Sequence, residues 1–165
     1  MIYSNPFDRK NSRVLVEDSV LRDVSAYRQV ERAATEAGGI LLGYRRDAHL
    51  HVVMATAPGP SDTRSKFRFC RDDESHARIA LSEWTKSGET MDYIGEWHTH
   101  PQSQPQPSTL DLSEWRNICT RRKEAMVFVI QGTLGTWVGV GFGRAIREST
   151  PGDDRCRRSG KDVRS

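Results

Sequence analysis

One segment near the middle of the chain, residues 95–111, constrains the fold more than any other part of the sequence. It reads Gly-Glu-Trp-His-Thr-His-Pro, then a proline-rich loop, then Ser-Thr-Leu-Asp. The apolar residues before it predict a strand that ends at the histidines, and Ser108 is the kind of residue that begins a helix. Since three of the seven residues 101–107 are proline, the connection cannot be regular structure. The fold must therefore bring the start of a helix back over the end of a strand.

This segment has the spacing of a metal site. His98 and His100 are two residues apart on the predicted strand, so both side chains lie on one face, with Cα atoms roughly 7 Å apart. Both imidazoles can then reach one zinc ion at about 2.0–2.1 Å, and Asp111 follows one turn into the next helix. Two histidines and a carboxylate leave one tetrahedral position open, which is typical of a catalytic site. Taken alone, however, Ser108 and Asp111 fit a helix N-cap and its first turn better than they fit a site of chemistry.

Hydrophobic periodicity predicts the rest of the chain as short strands interrupted by three amphipathic helices. The first helix is expected from Asp18 to about residue 36, where paired glycines follow, and the second from Asp72, with Trp84 facing inward. In the third, Trp115 is expected to pack inward. The predicted order, β-α-β-β-β-α-β-α-β-β, contains several hairpins and disfavours a doubly wound parallel sheet. The fold class is α/β (α+β), one mixed β-sheet with helices packed on its faces.

The combined pattern resembles the JAMM (MPN+, JAB) family of zinc metalloproteases. In that family His-x-His is followed by seven residues, a serine, two residues and an aspartate, and a glutamate lies well upstream, just before a glycine-containing apolar strand. Five positions match in type and order: Glu36, His98, His100, Ser108 and Asp111. The resemblance implies a JAMM/MPN-type metalloprotease domain over residues 1–143. Residues 144–165 are charged and lack apolar periodicity, so we expect a basic, disordered tail there.

Within the family, the chain is most similar to compact bacterial members found in CBASS anti-phage operons. The likeness rests on residues 36–43, 58–61, 69–72 with His76, and 95–101. Those enzymes are deconjugases, which implies a protein substrate: a cGAS/DncV-like nucleotidyltransferase attached to a target through its C-terminus. It further implies hydrolysis of an amide or isopeptide bond, a functional link to an E1/E2-like ligase, and a place in the bacterial cytoplasm.

The resemblance also implies a role for each residue of the site. One zinc ion per chain, held by His98, His100 and Asp111, would lower the pKa of its bound water from about 15.7 to about 7. Glu36 would take the proton from that water and deliver it to the leaving amine, and Ser108 would hydrogen-bond the developing oxyanion. Without the resemblance, Glu36 also fits a capping residue at a helix end.

Three further groups of residues carry weaker signals. Glu96 shares the face of the two histidines by strand period, so we expect it behind the ligands, orienting a histidine or the strand. Trp97 and Thr99 point to the opposite face. Four residues lie before and in the predicted second helix and could contact the C-terminal tail of a protein substrate, but we expect them on a solvated helix face: Arg64, Arg71, Asp72 and His76.

Charge and cysteine usage limit the remaining function classes. The net charge of +3 comes from residues 144–165, with seven basic and four acidic residues, so nucleic-acid binding by the folded body is not expected. Cysteines at 70, 119 and 156 form no Cys-x-x-Cys pair, which favours a reducing compartment. No apolar run is long enough for a membrane span.

Two alternatives to the deconjugase interpretation stay open. One keeps the chemistry and changes the substrate to a ubiquitin-like or sulfur-carrier protein. The other is a non-catalytic MPN scaffold, but such relatives usually lose metal ligands, and this chain keeps all three.

Overall fold

A computed structural model describes residues 1–7 and 12–152, and within these residues it has ten strands and three helices. The strands are β1 (Ile2–Ser4), β2 (Arg13–Val16), β3 (Gly38–Arg46), β4 (His49–Ala55), β5 (Thr63–Ser65), β6 (Arg68–Cys70), β7 (Asp92–Thr99), β8 (Met126–Gln131), β9 (Thr136–Phe142) and β10 (Ala145–Glu148). The helices are α1 (Asp18–Ser25), α2 (Ser75–Lys86) and α3 (Thr109–Arg122).

Eight of the strands form one mixed sheet in the order β1-β2-β4-β3-β7-β8-β9-β10. The pairs β2/β4 and β7/β8 are parallel, and the other neighbours are antiparallel. Strands β5 and β6 form a separate two-stranded hairpin. The prediction of a mixed sheet with helices on its faces is confirmed.

Apolar side chains alternate along the central strands and build a core on each face of the sheet. On β8, Val127 and Val129 belong to the cluster that includes Val20 and Val24 of α1. Its neighbour Phe128 belongs to the opposite cluster, which packs against α3. No helix in the described residues is long and apolar enough to cross a membrane.

The sheet curls until its two edges meet. The Ser4 amide donates to the Thr150 carbonyl at 2.9 Å, and the Gly152 amide donates to the Ile2 carbonyl at 2.8 Å. Tyr3 and Pro151 form an antiparallel bridge. The segment after β10 therefore closes against β1.

This closure corrects the prediction that disorder begins at residue 144. Residues 145–148 form β10, which pairs with β9, because Ile146 packs against the core cluster beside α3. A run of only two apolar residues, Ala145 and Ile146, is too short to predict a strand without the edge that it covers. Residues 153–165 lie outside the described part, and the domain boundary at residue 143 stays a prediction.

The first helix is shorter than its sequence pattern predicts. It ends at Ser25 and not near residue 36, and Val30 is 71% exposed. The reason is Gln29, whose buried amide donates to the Ala34 and Lys66 carbonyls and whose Oε1 accepts from Thr99. These tertiary hydrogen bonds hold the segment in a non-helical path.

The two helix tryptophans behave differently. Trp115 is buried as predicted and stacks on Phe128, with ring centroids 4.4 Å apart. Trp84 is 37% exposed, and Ile79 is similarly exposed. The prediction that Trp84 faces the core from α2 is therefore wrong. The residue that α2 buries is His76. Because its side chain is polar, apolar periodicity does not predict its burial.

Candidate metal centre

The end of β7 presents two histidines on the face that packs against α3. Because side chains alternate along a strand, His98 and His100 share this face and Thr99 points away. Their Nε2 atoms lie 3.1 Å apart and their ring centroids 4.8 Å apart. The ring of Trp115 lies 5.5 Å from that of His98 and packs beside it.

The first turn of α3 brings a carboxylate to both rings. Ser108 is the N-cap: its amide donates to Asp111 Oδ2 at 2.6 Å, and its Oγ accepts from the Asp111 amide at 3.1 Å. This reciprocal capping box fixes the aspartate. Asp111 Oδ1 then lies 3.4 Å from His98 Nε2, and Oδ2 lies 3.5 Å from His100 Nε2. Capping and convergence on the histidines are thus compatible.

Pairing between β3 and β7 places Glu36 beside the histidines. Gly38 is opposite His98, and the segment before it is held because the Ala37 amide donates to Thr99 Oγ1 at 3.0 Å. Glu36 is 5% exposed, and its Oε1 lies 4.0 Å from His98 Nε2. The structure therefore brings together two groups that are sixty-two residues apart in the chain.

The separations among these donor atoms are close to those around a zinc ion. Four ligands at about 2.0–2.1 Å from one ion lie about 3.3–3.4 Å from each other. The two Nε2 atoms lie 3.1 Å apart, and each has a different oxygen of the Asp111 carboxylate near it, Oδ1 at 3.4 Å from His98 and Oδ2 at 3.5 Å from His100. Two imidazoles and one carboxylate are also a donor set that zinc accepts with a fourth position open.

Glu36 offers a second choice for the third ligand. One oxygen of Glu36 and one nitrogen of each histidine all lie within 4.8 Å of one another. Oε1 of Glu36 lies 4.0 Å from His98 Nε2, whereas each histidine has one oxygen of Asp111 within 3.5 Å. Both carboxylates therefore lie close to the two imidazoles that could hold an ion.

Burial and neighbouring charges set the ionisation of the three groups in different directions. For Glu36, burial raises the pKa above its ordinary value, against the lowering effect of His98 and His100. For Asp111, burial also raises the pKa, but hydrogen bonds to His100 and His98 outweigh this effect and hold the pKa well below its usual range. For His100, burial opposes the charged form, yet Asp111 outweighs it and raises the pKa. One carboxyl is thus held ionised while the other is closer to accepting a proton.

Glu96 contacts an arginine and a tyrosine, whereas a histidine was one of the partners predicted from the sequence. Its Oε1 lies 2.9 Å from Arg71 Nη1 and accepts a hydrogen bond from the Tyr93 hydroxyl at 3.0 Å. Among the described residues, these are its polar partners, and neither is a histidine. Arg71 is therefore not part of a solvated helix face.

Two contacts that hold Glu36 are not predicted from the sequence: nothing singles out Ser65, and Arg64 is expected on a solvated helix face. The Glu36 amide donates to the Ser65 carbonyl at 2.7 Å, and Arg64 Nε donates to the Glu36 carbonyl at 2.8 Å. Arg64 therefore contacts the chain's own backbone. No local pattern carries this signal, because it depends on where the β5–β6 hairpin lies.

A groove of about 810 Å³ opens over the cluster. The hairpin residues 67–71 line one side and α3, including Glu114, lines the other, with the two histidines at its floor. A groove of this size accommodates an extended peptide segment.

Comparisons with known proteins place the chain in a family. Its residues 18–143 match the model for the prokaryotic homologs of the JAB domain. A protein of Pseudomonas aeruginosa named CD-NTase/cGAS isopeptidase is 40% identical over 64% of this chain and 67% of its own length. A protein of the same name from Vibrio cholerae is 35% identical over 80% of this chain and 84% of its own.

The fold has a solved counterpart as well. The solution structure of protein DSY2949 from Desulfitobacterium hafniense superposes with a TM-score of 0.58, covering 82% of this chain and 88% of that one, at 18% identity. At that identity the likeness concerns the fold alone. Together with the matched residues 18–143, these findings show that the chain belongs to the prokaryotic homologs of the JAB domain.

Proposed function

We propose that this protein is a zinc-dependent isopeptidase that releases a nucleotidyltransferase of the CD-NTase/cGAS type from a target attached at its C-terminus. The observation that carries the proposal is the convergence of His98, His100 and Asp111, whose nearest donor atoms lie 3.1, 3.4 and 3.5 Å apart, with Glu36 beside them. The names of the two relatives support the substrate class.

The proposed zinc ligands are His98, His100 and Asp111. Zinc supplies a Lewis acid that polarises a carbonyl and lowers the pKa of a water molecule to about 7. The fold holds these side chains in place, because the histidines lie at the end of a paired strand and the capping box fixes Asp111. Such preorganisation keeps the ion in one position relative to Glu36.

Glu36 is the proposed general base and acid. Its Oε atoms accept the proton of the attacking water and then return it to the nitrogen of the leaving amine. The raised pKa, caused by burial, suits this role because a base works best when its pKa approaches the working pH. The backbone contacts with Ser65 and Arg64 keep the carboxylate at the site.

Ser108 is the proposed oxyanion donor. Its Oγ already accepts from the Asp111 amide, so the hydroxyl proton is free to point toward the carbonyl oxygen of the scissile bond. A single donor of this kind stabilises a transition state by about 2.7–4 kcal/mol.

The groove supports a polypeptide substrate. An extended C-terminal tail lying between the β5–β6 hairpin and α3 would bring its last carbonyl over the histidines. We further propose that an E1/E2-like ligase forms the bond that this enzyme breaks, in the bacterial cytoplasm.

The test uses a nucleotidyltransferase joined through its C-terminal carboxyl to a lysine of a carrier protein. Zinc-loaded enzyme should release both halves. Glu36→Gln should keep about one zinc per chain but lower kcat by roughly 10²–10⁴, the usual contribution of a general base. Asp111→Asn should lose both zinc and activity, since it removes a charged ligand.

Glu31→Gln is the matched control, since Glu31 is an exposed glutamate of the same segment. It should change neither zinc content nor rate. Loss of zinc in Glu36→Gln would make Glu36 a ligand and overturn its assigned role. An intact conjugate after incubation with zinc-loaded enzyme would reject this substrate class, and a sulfur-carrier fusion tested in parallel would identify the alternative.

A further inference from the structure

The β5–β6 hairpin forms one wall of the groove and, among the described strands, is the pair that lies outside the main sheet. A two-stranded hairpin alone is marginally stable in water. Phe67 at its turn is 73% exposed, so little of the tip is packed. The position of this wall must therefore be set where the hairpin meets the rest of the protein.

The β5 side of the hairpin is tied to the segment that carries Glu36. Ser65 and Arg64 bind the backbone of Glu36, and the Gln29 side-chain amide donates to the Lys66 carbonyl at 2.9 Å. These contacts fix the β5 edge of the hairpin. On β6, the ring of Phe69 packs against β3, so closely that a Cβ at Gly38 would lie 2.5 Å from Cδ1.

The β6 side is tied to β7 by the pair of Arg71 and Glu96. Their atoms lie 2.9 Å apart, and the two side chains are 35% and 20% exposed, so water screens the pair only in part. The Tyr93 hydroxyl donates to the same glutamate oxygen, and the Arg71 guanidinium lies 5.8 Å from the centroid of the Tyr93 ring. The arginine thus contacts both side chains.

A bulge in β7 makes this arrangement possible. Residues three apart on a regular strand point to opposite faces. On the neighbouring strand β3, Leu41 pairs with Gly95 and the next residue, Leu42, pairs with Tyr93. Ile94 therefore has no partner on β3 and is the extra residue of the bulge. The extra residue turns Tyr93 to the face of Glu96, where His98 also lies.

We propose that Arg71, Glu96 and Tyr93 form an anchor that sets the distance between the hairpin wall and the strand carrying His98 and His100. In this role Arg71 and Glu96 are positioning residues, and they act on binding of the substrate tail before the chemical step. The inference rests on the proposed function for its consequence in catalysis. The anchor itself is a property of the protein without substrate.

The first test measures amide hydrogen exchange of the zinc-loaded protein without substrate. Arg71→Ala should speed exchange of the hairpin amides, residues 63–70, by roughly tenfold to a hundredfold, the effect of losing a hydrogen bond to a charged group. Exchange in β7 should not change. Hairpin exchange equal to that of the wild type would overturn the anchor.

Arg122→Ala is the matched control for this measurement. Arg122 lies against the same ring, with its guanidinium 5.4 Å from the Tyr93 centroid, but it pairs with Asp92 and not with the hairpin. It should leave hairpin exchange unchanged. Equal acceleration in both variants would mean that Tyr93 packing, and not the ion pair, holds the wall, and this result would also overturn the proposal.

The second test separates binding from chemistry with the conjugate substrate. Arg71→Ala should raise KM about tenfold or more and change kcat less than about threefold, and Arg71→Lys should recover part of the loss because it keeps the charge. The double variant with Glu96→Ala should be no worse than the poorer single variant. If Glu96→Ala lowers kcat or zinc content while Arg71→Ala does neither, Glu96 orients a histidine and the anchor is rejected. An inactive wild type would reject the proposed function, while the exchange result still decides the anchor.

Discussion

Ser108 serves the helix and the candidate site at the same position. Its Oγ accepts from the Asp111 amide, which completes the capping box, and its proton remains free for a second partner. From the sequence, capping and chemistry are competing interpretations of Ser-x-x-Asp. The structure makes them compatible, because the cap that starts α3 also turns the Asp111 carboxylate toward both histidines.

Two substitutions at Ser108 separate these contributions. Ser108→Ala removes cap and hydroxyl, and should lower the free energy of unfolding by about 1 kcal/mol and kcat by roughly 10²–10³. Ser108→Gly should lower kcat to the same extent but change stability by only about a few tenths of a kcal/mol, since glycine is tolerated at an N-cap. Denaturant titration and steady-state kinetics measure both quantities. Activity that falls only in parallel with stability would show that the hydroxyl has no role beyond capping.

At the scale of elements, α2 is held by a polar network and not by an apolar face. His76 is 3% exposed; it contacts Thr56 Oγ1 at 2.6 Å and Asp62 Oδ2 at 2.8 Å. The Asp62 carboxylate also accepts from the amides of Gly59 and Asp73. The loop before the hairpin and the start of α2 are thereby joined at one buried carboxylate, and His76 links them to Thr56, directly after β4. His76 is therefore neither on a solvated face nor accessible to a partner.

The Asp62 network predicts a pH-dependent stability. Burial alone would raise the pKa of Asp62, but the hydrogen bonds from His76, Asp73 and Gly59 outweigh it and lower the pKa below 3.8. A lowered folded-state pKa stabilises the protein above about pH 4, and this contribution is lost as the pH falls through the folded value. Asp62→Asn should therefore cost about 1–3 kcal/mol at pH 7 and progressively less below pH 4.

Urea titrations of wild type and variant at pH 7 and at pH 3 provide the measurement. Asp47→Asn is the matched control: Asp47 is exposed and has a φ of 53°, a backbone region that asparagine also adopts. A difference between wild type and Asp62→Asn that is the same at both pH values would contradict the assignment of the charge to this network.

At the scale of the whole molecule, the meeting of the two sheet edges joins the beginning and end of the described chain. Ser4 Oγ and Thr150 Oγ1 lie 2.8 Å apart, and backbone bonds flank them on both sides. Phe7 and Phe142 pack next to this junction, with ring centroids 6.4 Å apart. The segment 150–152 thereby pairs with backbone groups of β1 that an edge strand would otherwise leave open.

The closure predicts where the domain tolerates truncation. Ending the chain after Gly143 removes β10 and five hydrogen bonds that involve residues 149–152, which at about 0.5–1.5 kcal/mol each amounts to roughly 3–7 kcal/mol. Ending it after Gly152 keeps these contacts. Thermal unfolding should show a large loss of stability for the first variant relative to the second. Equal melting temperatures would mean that the closure contributes little.

The short-range part of this protein could be predicted from its sequence. The strand that ends in His98 and His100 and the helix that begins at Ser108 follow from local rules: alternation of side chains, proline in the connection, and capping chemistry. Because these ligands lie within fourteen residues, their spacing alone indicates that they can meet.

Contacts between distant segments were decided by the tertiary structure. Helix α1 ends at Ser25 because Gln29 finds partners in Lys66 and Thr99, which no local pattern contains. Glu96 pairs with Arg71 because a bulge at Ile94 changes which side chains share a face. The sequence by itself determined the chemistry available at the site, since that depends on residue types and near spacing. The tertiary structure decided which distant groups hold it in place, since strand register and packing depend on the whole chain.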